Sequence, residues 1–302
     1  MKYINFNGNE ISKLSLGTVQ FGLNYGISNS SGKPKQDEVN DIVGFVTQSG
    51  INCFDTAVAY GDSEIVLGKA LNQKKSCHIV SKVKSDIFLS DVEKILFRSL
   101  DRLGSSKLFG FMLHDGELLF RWRDEYRDKV DRLKKYNLIN HFGVSIYTNE
   151  EFDLAIENTS IEIIQIPFNL FDQRANNNSW FQKAKEANKL IFIRSVFLQG
   201  LFFMEIEKLT GTLMEAKGYL KQMNSMRETL GLSIADFAMA YVESIADDAV
   251  VLFGCDSLTQ AKENIETYSK LPKLKEEILN NINRAFSNIP ENIINPSRWN
   301  MQ

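Results

Sequence analysis

Cysteine is scarce: only Cys53, Cys77 and Cys255 occur in 302 residues, and no two share a metal-ligand spacing. An odd, scattered set excludes a disulfide framework and a zinc ribbon, and fits reduced thiols in a cytoplasm. Proline is scarce too, with five in the chain, and no low-complexity or Gly/Ser-rich run offers itself as a linker. No apolar run approaches the roughly 20 residues that a membrane-spanning helix needs, and the opening MKYINFNGNE lacks a hydrophobic signal core. Neither sign of charge dominates: 35 Lys and Arg stand against 38 Asp and Glu, a net charge of -3. Such a balance gives no electrostatic reason to expect nucleic acid or a membrane surface as partner. A soluble, cytoplasmic protein is the expectation.

What is present is an ordinary globular balance, 43% hydrophobic and 24% charged, with ample material for a core. A unit recurs: a short apolar strand, a loop, then an amphipathic helix. The pattern rules predict strands at LSLGT, INCFDTA, CHIVSKV, LFGFMLH, INHFGVS, IEIIQIP, LIFIRSV and VVLFG. Helical patterns such as EVNDIVGFVTQSG, SDVEKILFRSLDRLG and YRDKVDRLKKYN lie between them; the second is expected to open on Ser90 as N-cap and close on Gly104. YINFNGNEISKL predicts an extra hairpin turning at Asn7-Gly8-Asn9. An open doubly wound sheet would want a glycine-rich fingerprint opening a helix after its first strand, and LGTVQFGLNYG is followed by no immediate helical pattern. Eight repeats in about 250 residues fit a closed barrel instead. The expected fold is therefore α/β, a (β/α)8 TIM barrel with an N-terminal β-hairpin and a C-terminal loop and helix extension. One domain, 1-302, is expected.

Barrel chemistry sits at the carboxyl ends of the strands. Asp55 closes the second barrel strand, Lys82 falls near the end of the third, and His114 ends the fourth, with Tyr60 in the loop after the second. Any one of these alone is more often a solvated or structural residue than a catalytic one, and Asp55 with Lys82 reads also as a satisfied ion pair; four together at one rim are harder to ascribe to accident. A phenol beside an ammonium should have a lowered pKa. Asp55 would keep Lys82 charged and oriented, and neutral His114 could hydrogen-bond a substrate oxygen. The set reads as a general acid aimed at an oxygen that becomes negative, as in carbonyl reduction by a nicotinamide cofactor.

The pieces LGTVQFG, FDTAVAYGDSEIVLGKAL, VSKVK, LHD, HFGVSIYTNEEF, IIQIPFNLFDQ, SVFLQGLF and VLFGCDSLTQAKENI, in this order, cover nearly the whole chain and resemble an aldo-keto reductase of bacterial type. The resemblance implies Tyr60 as general acid with Asp55, Lys82 and His114 completing a tetrad. It implies Gly17, Thr18 and Asp55 beside the cofactor, Ser145 and Gln165 on the nicotinamide carboxamide, and Ser195, Phe197, Gln199 and Gly200 along the pyrophosphate. Gly254, Cys255, Asp256, Ser257, Gln260, Glu263 and Asn264 would cradle the adenosine end. Arg194 stands where the family usually stacks an aromatic on the nicotinamide, and Ile146 where asparagine is typical. NADPH is the implied cofactor, with NAD possible because Gly254 and Gln260 replace basic residues.

Substrate choice is expected in the loops above the tetrad. Trp122 and Trp299 could wall a pocket, though packing is the commoner fate of such aromatics. Arg121 and Arg123 read as a solvated face, and His78 and His141 as structural. SVFLQGLF is similar to bacterial members found in nucleotide-sugar and natural-product pathways, which implies a keto-sugar or related polar carbonyl. The partner is a small carbonyl compound, the chain a monomer or weak homo-oligomer. Two alternatives stay open: a non-enzymatic nicotinamide-binding partner subunit of the same fold, and a Schiff-base aldolase with Lys82 as nucleophile.

Overall fold

The computed structural model describes residues 1–29, 32–71 and 77–300. Ten strands are present among them: β1 (Tyr3–Phe6), β2 (Asn9–Ser12), β3 (Leu14–Gly17), β4 (Cys53–Asp55), β5 (His78–Val83), β6 (Leu108–Leu113), β7 (Ile139–Ser145), β8 (Ile163–Pro167), β9 (Leu190–Arg194) and β10 (Ala249–Gly254). Strands β3 to β10 pair in parallel, each with its sequence neighbour, and β10 closes on β3 through Val251↔Leu14 and Gly254↔Gly17. The result is a (β/α)8 TIM barrel, and each expected strand run overlaps one barrel strand.

These strands are near-continuous apolar runs because both their faces are covered. One face meets the helices: Gln36–Gln48, for example, buries Val39, Ile42, Val43 and Val46, the spacing of a single helical stripe. The other face fills the barrel, where Cys53, Val80, Phe109, Met112, Ile163, Phe192 and Val250 pack together. The antiparallel pair β1–β2 turns at Asn7 and Gly8, both left-handed with φ of 49° and 80°, the geometry of a two-residue hairpin. It presses Phe6 and Ile11 onto the same interior cluster. His78 and His141 lie at this lower end, flanking Phe109 at 4.8 and 5.0 Å between ring centres.

Two helix starts differ from expectation. The helix that closes on Gly104, left-handed at φ 61°, begins at Ser85 and kinks at Asp91. Ser90 is not its N-cap: the Ser90 hydroxyl donates back to the Ile87 carbonyl, and the Asp91 carboxylate instead accepts from Lys94 N at 3.2 Å. A short helical turn, Val19–Gly22, also follows β3 directly. Beyond β10 come helices Leu258–Ser269, Glu276–Ala285 and Glu291–Ile294.

Candidate active site

All eight barrel strands deliver a residue to one rim. Gly17, Asp55, Ser145, Arg194 and Gly254 are the last residues of β3, β4, β7, β9 and β10; Lys82 and Gln165 lie near the ends of β5 and β8, and His114 follows β6. Above them opens a cleft of about 830 Å³ that runs from Tyr60 and His114 to the helix Leu258–Ser269.

Lys82 is completely buried and donates to Asp55 Oδ1 at 2.6 Å and to the Thr56 carbonyl at 2.9 Å. The second carboxylate oxygen of Asp55 accepts from Gln165 Nε2 at 2.9 Å. Hydroxyls brace the end of β4: Thr18 Oγ1 bonds the Asp55 carbonyl at 3.0 Å, and Ser63 Oγ donates to the Thr18 carbonyl at 2.7 Å. The Asp55–Lys82 partnership expected from sequence is thus present, and Lys82 itself lies behind the cleft wall. Tyr60 sits over this pair, its ring centre 5.0 Å from Lys82 Nζ and 5.4 Å from the His114 ring, edge to face.

The protonation states follow from burial. Burial, helped by the Asp55 charge, pushes the Tyr60 phenol well above its ordinary range, with Arg194 pulling the other way. The lowered phenol pKa expected from Lys82 is therefore not found: the lysine's charge is matched at 2.6 Å by Asp55, and desolvation of the phenolate outweighs the rest. Burial likewise drives Lys82 down against the pull of Asp55. Burial, with Lys82 and Arg194 adding repulsion, holds His114 down at about 3, so its imidazole is neutral. His114 Nδ1 is buried without a partner.

The residues expected along a cofactor divide. Gly17, Thr18, Asp55, Ser145, Gln165, Arg194, Ser195, Phe197, Gln199, Gly200, Gly254, Asp256, Gln260, Glu263 and Asn264 line the cleft. Cys255 and Ser257 do not. Successive residues of an extended chain face opposite ways, so Cys255 turns into the helix-layer core while its neighbours meet the cleft; Ser257 caps the helix by accepting from Gln260 N at 3.3 Å. The β9 loop holds left-handed residues at Ser195, Leu198, Gln199 and Gly200, with φ of 64°, 46°, 52° and 92°. Such backbone builds anion-binding concavities and marks functional loops. With the helix N-terminus at Leu258, the cleft fits a pyrophosphate, and Gln165, its Nε2 engaged, keeps a carbonyl oxygen for an amide N–H.

Sequence reading missed Gln20, Tyr25, Tyr147 and Phe203, which also line the cleft. All four lie in the connections that follow the carboxyl ends of β3, β7 and β9, and that position was the available signal. Trp122 instead stacks among Phe88, Tyr126 and Phe142, and Trp299 donates to the Ile293 carbonyl at 3.0 Å. Arg121 and Arg123 are exposed.

Comparison with known proteins finds the same fold. An aldo-keto reductase of Bacillus halodurans in its holo form superposes with a TM-score of 0.80 at 20% identity, covering 99% of this chain and all of that one. An aldo/keto reductase of Klebsiella pneumoniae, solved with NADP and acetate, gives 0.70 at 18%, over 99% and 98%. The uncharacterized oxidoreductase YqkF of Bacillus subtilis is 22% identical over 292 residues, 89% of this chain and 91% of its own. The model of the aldo/keto reductase family matches residues 13–285, and the chain belongs to that family.

Proposed function

We propose that the chain reduces an aldehyde or ketone, a keto-sugar or similar polar carbonyl among the candidates, to an alcohol at the Tyr60 end of the cleft. The observation that carries this reading is Tyr60 set over the buried Asp55–Lys82 pair and edge-on to a neutral His114. When bound, a reduced nicotinamide would supply the hydride. Ser145 and Gln165 would hold its carboxamide, the Ser195–Gly200 loop its pyrophosphate, and Asp256, Gln260, Glu263 and Asn264 its adenosine end.

The raised phenol pKa lies farther from the operating pH than an ideal general acid's would, but it leaves the proton on Tyr60 until a stronger base appears. Tyr60 keeps its proton through the neutral range and releases it only to an oxygen that is becoming an alkoxide, a far stronger base. As the phenol gives up its proton, the positive charge of Arg194 favours the phenolate, while that of Lys82 is matched by Asp55. His114, neutral, can donate one ring N–H to the substrate oxygen. Lys82 is completely buried and engaged by Asp55 and Thr56, which speaks against a Schiff-base role.

Family habit favours NADPH. The adenosine end opposes a 2′-phosphate: Asp256 and Glu263 line it, and no lysine or arginine is among the described residues there. A carboxylate near the ribose suits a free 2′-hydroxyl. We expect NADH to bind within about tenfold of NADPH, or better, a gap of at most roughly 1.4 kcal/mol.

The test pairs both cofactors with Tyr60→Phe. Fluorescence titration should give the same cofactor affinity for wild type and variant, while turnover of the best aldehyde falls by about 10²-fold or more, the usual worth of a positioned general acid. Turnover surviving in Tyr60→Phe would remove the role given to Tyr60. Binding of neither cofactor would remove the reductase reading, and tight binding without turnover on any carbonyl would favour the partner-subunit alternative.

A further inference from the structure

Tyr60 stands in a turn whose two sides are held by different means. On the entering side the backbone suffices: Val58 N donates to the Lys82 carbonyl at 2.9 Å, and Tyr60 N to the Ala57 carbonyl at 3.0 Å. On the leaving side the Tyr60 carbonyl accepts from Ser63 N at 3.0 Å, and Ser63 opens the helix Ser63–Leu71. Where that side of the turn sits therefore depends on what holds Ser63.

A cluster of three hydroxyls holds it, from Thr18, Thr56 and Ser63, all completely buried. Ser63 Oγ donates to the Thr18 carbonyl at 2.7 Å and lies 2.8 Å from Thr18 Oγ1 and 3.1 Å from Thr56 Oγ1. A hydroxyl has one proton to give and two lone pairs to receive. With its proton on the Thr18 carbonyl, Ser63 is the acceptor for the Thr56 hydroxyl, which has no other partner among the described residues. Thr56 links the cluster to the ion pair directly, because its carbonyl accepts from Lys82 Nζ at 2.9 Å. Thr18 does the same for Asp55, whose carbonyl takes its N–H at 2.9 Å and its hydroxyl at 3.0 Å. One serine oxygen thus ties the backbone of Tyr60 to both members of the pair beneath the phenol. Neither Ser63 nor Thr56 lines the cleft, so the tie acts without touching a ligand.

We propose that Ser63 is a positioning residue for Tyr60, its buried hydroxyl setting where the phenol stands over the Asp55–Lys82 pair and hence where the proton is delivered. The assignment rests on the reductase reading above. It goes beyond a packing role, because a hydroxyl that only stabilised the fold would leave the turnover of folded molecules unchanged.

The test uses Ser63→Ala, Thr56→Val and the double variant, with 4-nitrobenzaldehyde as substrate and whichever of NADPH and NADH binds more tightly. Ser63→Ala strands the Thr56 donor in the interior, which destabilises the protein. The double variant removes both partners and should regain most of that stability, so it carries the test if the single variant does not fold. A displacement of about 1 Å at a reacting group lowers turnover by about 10²-fold. Well below the melting temperature, kcat should therefore fall by about 10- to 10²-fold in Ser63→Ala and in the double variant alike. KM and cofactor affinity should stay close to wild type, the pattern of a loss felt only in the transition state. Thr56→Val, which keeps the Ser63 bond to the Thr18 carbonyl, should lose far less. Wild-type kcat in folded Ser63→Ala, recovery of kcat together with stability in the double variant, or an equal loss in Thr56→Val each overturns the proposal. If wild type reduces no carbonyl, the reductase reading falls separately, and crystal structures then decide for Ser63. In wild type the Tyr60 ring centre lies 5.0 Å from Lys82 Nζ. A shift of about 0.5 Å or more in the double variant, the tolerance of a working site, upholds the positioning role, and an unmoved ring overturns it.

Discussion

At the scale of single residues, His114 lets the electrostatics of the site be read from stability alone. Its folded pKa is held at about 3, whereas an unfolded histidine titrates near 6.5. Between those values the unfolded chain takes up a proton that the native site refuses, so stability is lost as pH falls through that window, by up to about 1.4 kcal/mol per pH unit. His78, lowered by its own burial, acts with the same sign. Glu162, held at about 2 by His141 and Lys134 against its burial, loses its contribution only below the ordinary carboxylate range. His114→Gln should therefore flatten the dependence of unfolding free energy on pH between about 5 and 7, measured by urea titration, leaving the His78 share. An unchanged slope would mean that His114 titrates like an exposed histidine. The sequence made the four ionisable residues visible because strand ends are legible. The direction of the Tyr60 shift was not, since it depends on how far the phenol is buried and on Asp55 neutralising Lys82, neither of which has a sequence signal.

At the scale of elements, what aims Tyr60 is a crossing of two backbones. A Cβ on Gly22 would lie 1.7 Å from the Tyr60 carbonyl oxygen and 2.7 Å from Ser63 N, and one on Gly61 would lie 2.7 Å from the Gly22 carbonyl oxygen. Gly61 is also left-handed, at φ 59°. The turn Val19–Gly22 thus lies directly against the loop that carries the phenol, and only glycine permits the approach. Gly22→Ala must push the Tyr60 backbone aside. A displacement of about 1 Å at a reacting group lowers turnover by about 10²-fold, so kcat/KM should fall by that order while cofactor affinity, measured by titration, stays close to wild type. Full turnover in a folded Gly22→Ala would show that the crossing yields without moving Tyr60. This element was missed in the sequence because Val19–Gly22 is a single turn, too short for any periodicity. The kink at Asp91 escaped because Ser90 and Asp91 are both acceptable caps, and nothing local in the sequence separates them.

At the scale of the molecule, the two ends of the barrel divide the labour, with chemistry on the carboxyl rim and closure at the opposite end. The eight strands were legible because each is a buried apolar run bounded by polar loops, and the Asn7-Gly8 turn announced the hairpin. Nothing local announced what the hairpin covers, because that contact joins residues 4–11 to strands spread over the rest of the chain. Ile11 is fully buried in the cluster that fills the barrel, alongside Phe6, Phe109 and Val250. Removing its side chain should open a cavity there and destabilise the fold by about 2–5 kcal/mol. The rim should hardly notice, since Asp55, Lys82 and Tyr60 are held by hydrogen bonds and backbone crossings at the other end of the strands. Ile11→Ala is thus expected to lower the urea midpoint clearly while kcat and KM, measured well below the melting temperature, remain those of wild type. A fall in kcat in proportion to the lost stability would mean that the barrel interior transmits strain from its floor to its rim, and that the two ends are coupled rather than independent.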